Sequence, residues 1–144
     1  KNILKNQEAL YRNQEVELMF IDALEEMINL GKLCLLPVKK QKDNNQIISN
    51  YAGKFIGYYD KEFLYLYDST MYAEVETFLK GKGQSISVSV NTLLKMLRDK
   101  NYIKTEEGQL KPKKLVYDSI TKNKERIRLV HLYKKNLNLV NYKE

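Results

Sequence analysis

The sequence predicts an α+β fold: a winged helix with an N-terminal helix and an additional aromatic β-hairpin. Three observations predict it. Residues 68–133 read in the order helix, short extended stretch, helix and basic β-ribbon. Aromatic side chains recur on two arms that flank the polar connection Asp60-Lys61-Glu62. Apolar stripes at spacings of three and four recur in separate helical segments. With 144 residues, 43% of them apolar, the chain can bury one core. The expected layout is a helix and connecting segment over 1–50, the winged-helix domain over 51–135 and a flexible tail over 136–144.

Residues 7–30 form the first expected helix. Val16, Phe20, Ala23, Leu24 and Met27 share a stripe, and Glu15, Glu17, Asp22, Glu25 and Glu26 take the other positions. Gly31 then ends the helix in the left-handed conformation. This helix either packs on the module or is the tail of a preceding domain, and the order over 68–133 is that of a winged helix, in full or in an abbreviated form lacking one helix. Residues 33–38 read as a strand and 39–50 as a polar loop. Strands over 54–59 and 63–67 make the hairpin, and packing in the core is the favoured use of their tyrosines over stacking on bases.

A second helix starts near Asp68 or Ser69, either a good cap, and runs to about Lys80. Tyr72, Val75, Phe78 and Leu79 form its apolar face, and Gly81-Lys82-Gly83 stops it. Ser89 caps a third helix over 90–100, with Val90, Leu93, Leu94 and Leu97 inward and Asn101 at its end. Residues 102–104 lead into a turn at Glu106-Glu107-Gly108. Strands over 111–117 and 126–133 follow, joined by a polar loop over 119–125.

The net charge of +7 is unevenly placed. Residues 1–85 carry 11 Lys and Arg against 12 Asp and Glu, whereas residues 86–144 carry 14 against 6. All the excess positive charge therefore lies in the last two-fifths of the chain, as a surface for a polyanion requires. The ribbon holds Lys111, Lys113, Lys114, Lys122, Lys124, Arg126 and Arg128, with only Asp118 and Glu125 as acids. These cations repel one another on two strands, and phosphates relieve the repulsion. At the third helix, Ser87, Ser89, Asn91 and Thr92 stand at an open N-terminus suited to bases or phosphates, and Lys95 and Arg98 continue the outward face. The plain alternative makes the hydroxyls caps and the cations ordinary solvated surface.

Other chemistries find no support in the residue pattern. One cysteine, Cys34, in an apolar run reads as a buried inert thiol, and one histidine, His131, in an alternating strand reads as structural. Together they make no zinc spacing, and no metal or other cofactor is expected. Gly81-Lys82-Gly83-Gln84-Ser85 lacks the spacing of a phosphate loop, and the paired acids Glu25-Glu26 and Glu106-Glu107 read as solvated surface, so no catalytic residue is expected. No run reaches the ~20 apolar residues of a membrane span. A reducing cytoplasm is the simplest compartment. The sequence begins at Lys1 rather than Met, as a fragment or a processed chain does.

The stretch Phe55-Ile56-Gly57-Tyr58-Tyr59-Asp60-Lys61-Glu62-Phe63-Leu64-Tyr65-Leu66 is followed downstream by Ser87-Val88-Ser89-Val90-Asn91-Thr92-Leu93-Leu94-Lys95-Met96-Leu97 and then by Asn101-Tyr102-Ile103. Together they resemble the C-terminal region of replicative helicases carried by mobile elements, the staphylococcal cassette chromosome helicases and their relatives. The resemblance covers about residues 50–133. It implies a region that follows the ATPase of a hexameric AAA+ motor related to MCM helicases. The Walker motifs have no counterpart here, so no ATPase is carried over. Asn101 stands where that family has a small residue or Gly, and it tolerates the left-handed conformation. The expected partners are therefore DNA, duplex or single-stranded, and the AAA+ domains of a parent helicase, with no membrane. The alternatives are a winged helix that docks on the motor or another protein, and a stand-alone transcriptional regulator.

Overall fold

The computed structural model describes residues 15–39, 53–118 and 121–142. The fold is α+β, with a helical layer, a five-stranded sheet and a two-stranded ribbon. Helix α1 (Val16–Asn29) buries Phe20, Ala23, Leu24 and Met27, the expected stripe, together with Ile21 and Ile28. Leu30 caps it and Gly31 follows at φ +77°. Residues 7–14 of the expected helix lie outside the described residues. Glu17, expected on the solvent side, is buried, and its Oε1 has no hydrogen-bond partner.

Strands β1 (Leu33–Pro37) and β2 (Lys54–Tyr59) pair in parallel, and β2 turns back antiparallel into β3 (Phe63–Leu66). The turn is set by Asp60, whose Oδ1 accepts from the backbone N–H groups of Glu62 at 2.9 Å and Phe63 at 2.8 Å. Gly57 lies where β2 presses on β3: a Cβ there would stand 2.0 Å from the carbonyl oxygen of Tyr65. Only glycine allows that approach.

Helix α2 (Asp68–Gly81) follows directly, and its N-cap is Tyr67 rather than Asp68 or Ser69. Tyr67 ends the hairpin in an extended conformation with its N–H on Ile56 O, so the helix begins one residue earlier than side-chain capping suggests. The stretch before the next helix joins neither sheet. It is pinned instead by buried Ile86 and by the Tyr72 hydroxyl, which donates to Val88 O. Helix α3 (Val90–Asp99) starts at Ser89, whose hydroxyl accepts from Thr92 N–H at 3.2 Å. Asn101, at φ 61°, turns the chain into β4 (Ile103–Lys104).

The expected strand over 126–133 is two strands. Strand β5 (Lys113–Asp118) pairs with β6 (Asn123–Arg128) to form the ribbon, while β7 (Val130–Tyr133) enters the main sheet between β3 and β4. The sheet order is β1-β2-β3-β7-β4. Leu129 is the break: it is buried under the ribbon, and its neighbour Val130 is buried under the helices. The joining loop is also shorter than expected, because Asn123 to Glu125 already belong to β6; Ser119 lies outside the described residues.

Period-2 alternation along β3 and β7 separates two cores, and a bulge in β2, where the register on β1 skips Ile56, sends Ile56 and Tyr58 to opposite sides. Ile56, Leu64, Leu66, Val130 and Leu132 face α1, α2 and α3. Tyr58, Phe63 and Tyr65 face the other way and meet Val116 of the ribbon and Leu129. Helix α1 packs on α2 and α3, and β1 belongs to the main sheet, so both are parts of one core with residues 54–133. The tail was expected to fray, yet it is docked. After a 3₁₀ turn (Lys134–Asn136), Leu137 and Tyr142 are each 8% exposed. Asn138 N–H donates to Glu25 Oε1 at 2.6 Å, Asn29 Nδ2 donates to Asn138 O at 3.0 Å, and Val140 N–H donates to Asn29 Oδ1 at 2.9 Å. Apolar residues in a polar tail supply the anchors that composition alone hides.

Candidate nucleic-acid interface

The β5–β6 register sorts the ribbon's side chains by face. Lys113 lies opposite Arg128, Leu115 opposite Arg126 and Tyr117 opposite Lys124, and these six share one face. Lys114, Val116 and Asp118 lie opposite Ile127, Glu125 and Asn123 on the other. Buried Val116 and half-buried Ile127 turn that second face toward the sheet. The outward face therefore carries Lys113, Lys124, Arg126 and Arg128, all exposed, and no carboxylate. Lys113 and Arg128 are directly opposed like charges, an unfavourable pair without an anion. Arg128 is steadied by hydrogen bonds from its guanidinium to Gln109 Oε1 at 3.2 Å and Lys111 O at 3.3 Å. Lys122 is exposed at the ribbon turn, at φ 60°.

Two of the seven expected cations point elsewhere. Lys111 precedes β5 and pairs with Asp68 at 2.9 Å, tying the ribbon's root to the start of α2. Lys114 lies on the inner face, 4.9 Å from the Tyr65 ring centroid and 4.0 Å from Asp60 Oδ2.

The leading end of α3 is open, with Ser87, Ser89, Asn91 and Thr92 all exposed. Ser89 and Thr92 are occupied with each other, since the Ser89 hydroxyl also donates to Thr92 Oγ1 at 3.1 Å. Asn91 and Lys95 stay exposed on the helix, and Arg98 pairs with Asp99 at 3.1 Å. Helix α3 belongs to the helical layer and the ribbon to the layer across the sheet, because α3 and Val116 lie in different cores. The sheet thus stands between the two groups of predicted residues; each group is brought together, but as a separate surface.

A polar node supports the ribbon from beneath. The Tyr65 hydroxyl donates to Asp60 Oδ2, and His131 Nε2 donates to Pro112 O at 2.9 Å. Burial works against ionisation of Asp60. The Tyr65 hydroxyl, the Phe63 and Glu62 amides and Lys114 outweigh it and hold the carboxyl below its usual value. Burial, with the Asp60 bond, pushes the Tyr65 phenol far up, and burial lowers the His131 imidazole. Tyr58 and Tyr65 are buried, so these rings are core and not stacking platforms.

Two outward side chains escape a reading of charge alone: Leu115, 46% exposed, and Tyr117, both amid the outward cations. Their signal is the ribbon's own alternation, which places every second residue from Lys113 on the cationic face. No family model, curated protein or solved structure matches the chain. Among the described residues there is no helix long and apolar enough to cross a membrane and no cluster of metal-ligating side chains.

Proposed function

We propose that the chain is a winged-helix module that binds DNA and positions it for the ATPase motor of a mobile-element replicative helicase. The observation that carries the reading is the ribbon's outward face, where four cations stand without an acid on a backing fixed by Val116. Helices α1, α2 and α3 with strands in the order β3-β7-β4 support the winged-helix assignment, with β5–β6 as the wing and α1 as the helix that an abbreviated form would lack. Strands β1 and β2 are then an insertion between the first helix and β3. The helicase context rests on the resemblance of residues 55–66 and 87–97.

Binding of this kind is steep in salt, because each neutralised phosphate releases counterions, with a slope of about −0.9 per contact on duplex DNA. The test is a salt titration of a labelled duplex with the whole chain and with Lys113→Glu/Arg126→Glu. The double variant is expected to bind about tenfold or more weaker and to flatten the slope by about 2. Equal affinity of the two proteins, or no duplex binding at low salt, overturns the reading in favour of a protein-docking module. An ATPase encoded upstream in the same reading frame eliminates a stand-alone regulator.

A further inference from the structure

A groove of about 1110 Å³ opens where β1 and β2 end, at the hairpin turn and beyond β7. Five lysines line it, Lys39, Lys61, Lys114, Lys134 and Lys135, against the two carboxylates Asp60 and Glu62. The Asp60 carboxylate is engaged by Tyr65, by the amides of Glu62 and Phe63 and by Lys114 at 4.0 Å, which leaves Lys39, Lys61, Lys134 and Lys135 against Glu62 on the groove's open side. Two aromatic rings lie in the lining with cations over them: Lys134 Nζ is 5.6 Å from the Tyr59 centroid, and Lys135 Nζ is 4.9 Å from the Tyr133 centroid. The groove also meets the ribbon. Tyr117 N–H donates to Val38 O at 2.9 Å, and Tyr117 lies opposite Lys124. Lys39, next along the chain from Val38, lines the groove beside this junction with the ribbon.

We infer that the groove holds a single nucleic-acid strand running on from the ribbon, an inference that rests on the DNA-binding reading above. A single strand presents unstacked bases as well as phosphates, and this lining sets two cation-topped aromatic rings beside further lysines. An acidic peptide would use the lysines and leave the rings unused. A duplex keeps its bases stacked inside and has no use for the rings either. The groove so occupied, beside a ribbon on duplex, makes the module a reader of the junction between paired and unpaired DNA.

The test uses the whole chain and fluorescence anisotropy with three probes: a ~10-nucleotide oligothymidylate, a blunt duplex and polyglutamate. Lys61 and Lys135 are exposed and form none of the described ion pairs, so Lys61→Glu/Lys135→Glu leaves the fold intact, which circular dichroism checks. This variant is expected to bind oligothymidylate about tenfold weaker, with the salt slope flattened by about 1.4 at 0.7 per cation, and to keep its duplex affinity within about twofold. Unchanged oligothymidylate binding, an equal loss on the duplex, or polyglutamate binding as tight as oligothymidylate overturns the inference. A ribbon variant that keeps full duplex affinity sinks the earlier reading instead, so the two failures are distinguishable.

Discussion

His131 is the chain's one histidine, and its ring is buried against Phe63 and Tyr65 while Nε2 holds the Pro112 carbonyl. Burial lowers its pKa below the ordinary 6.5, and nearby Lys104 and Lys114 add to this against the opposing carbonyl bond. The unfolded chain then takes up the proton more readily than the folded one. The stability held by the neutral ring is complete above about pH 6.5 and is lost as pH falls toward the folded value. Asp60 titrates below 3.8 and stays out of this window. The urea midpoint is therefore expected to drop between about pH 7.5 and about pH 5.5, and His131→Gln, which keeps an amide donor, to remove most of that drop. A slope retained by the variant would assign the dependence to other groups. The structural role of His131 was legible, because one histidine in an apolar alternation has no partner for chemistry. Its partner, Pro112 O, was not, since a backbone acceptor 19 residues away leaves no mark in composition.

Helix α3 was the most legible element: Ser89, the Leu93, Leu94 and Leu97 stripe, and Asn101 at φ 61° all act as their residue types suggest. Capping and contact make separate predictions for it. Ser89→Ala is expected to cost about 1 kcal/mol of stability through the lost Thr92 N–H partner, and to leave duplex binding unchanged. Asn91→Ala should leave stability within about 0.5 kcal/mol and, because α3 lies across the sheet from the ribbon, leave ribbon-borne duplex binding within about twofold. Urea unfolding and anisotropy read the two effects, and a tenfold loss of affinity on Asn91→Ala would add the α3 end to the interface. The β6–β7 break was the least legible boundary. Arg126-Ile127-Arg128-Leu129 continues into Val130-His131-Leu132 without a turn residue, and only the adjacent apolar pair Leu129-Val130 interrupts the period of two. A strand that changes cores leaves that signature, and it reads easily as one long strand.

At the scale of the molecule, the sheet serves two cores at once, aliphatic toward the helices and aromatic toward the ribbon. The class of fold followed from periodicity, but the place of α1 did not, because an amphipathic stripe does not say which surface it covers. The same holds for the tail, whose Tyr142 meets Tyr59 edge to face at 5.0 Å and whose hydroxyl accepts from Leu35 N–H at 3.4 Å. Tyr142→Ala is expected to cost about 3 kcal/mol in urea unfolding, and a loss below about 0.5 kcal/mol would mean that the tail merely rests on the surface. The docked tail also orders events during synthesis. Tyr142 reaches back 107 residues to Leu35, and Val140 reaches back 111 to Asn29. The ribosome delivers residues 137–142 after every other part of the described fold, so a nascent chain must wait with α1 and β1 unsealed. Until then, the Tyr59 ring and the Leu35 amide lack the cover that Tyr142 brings.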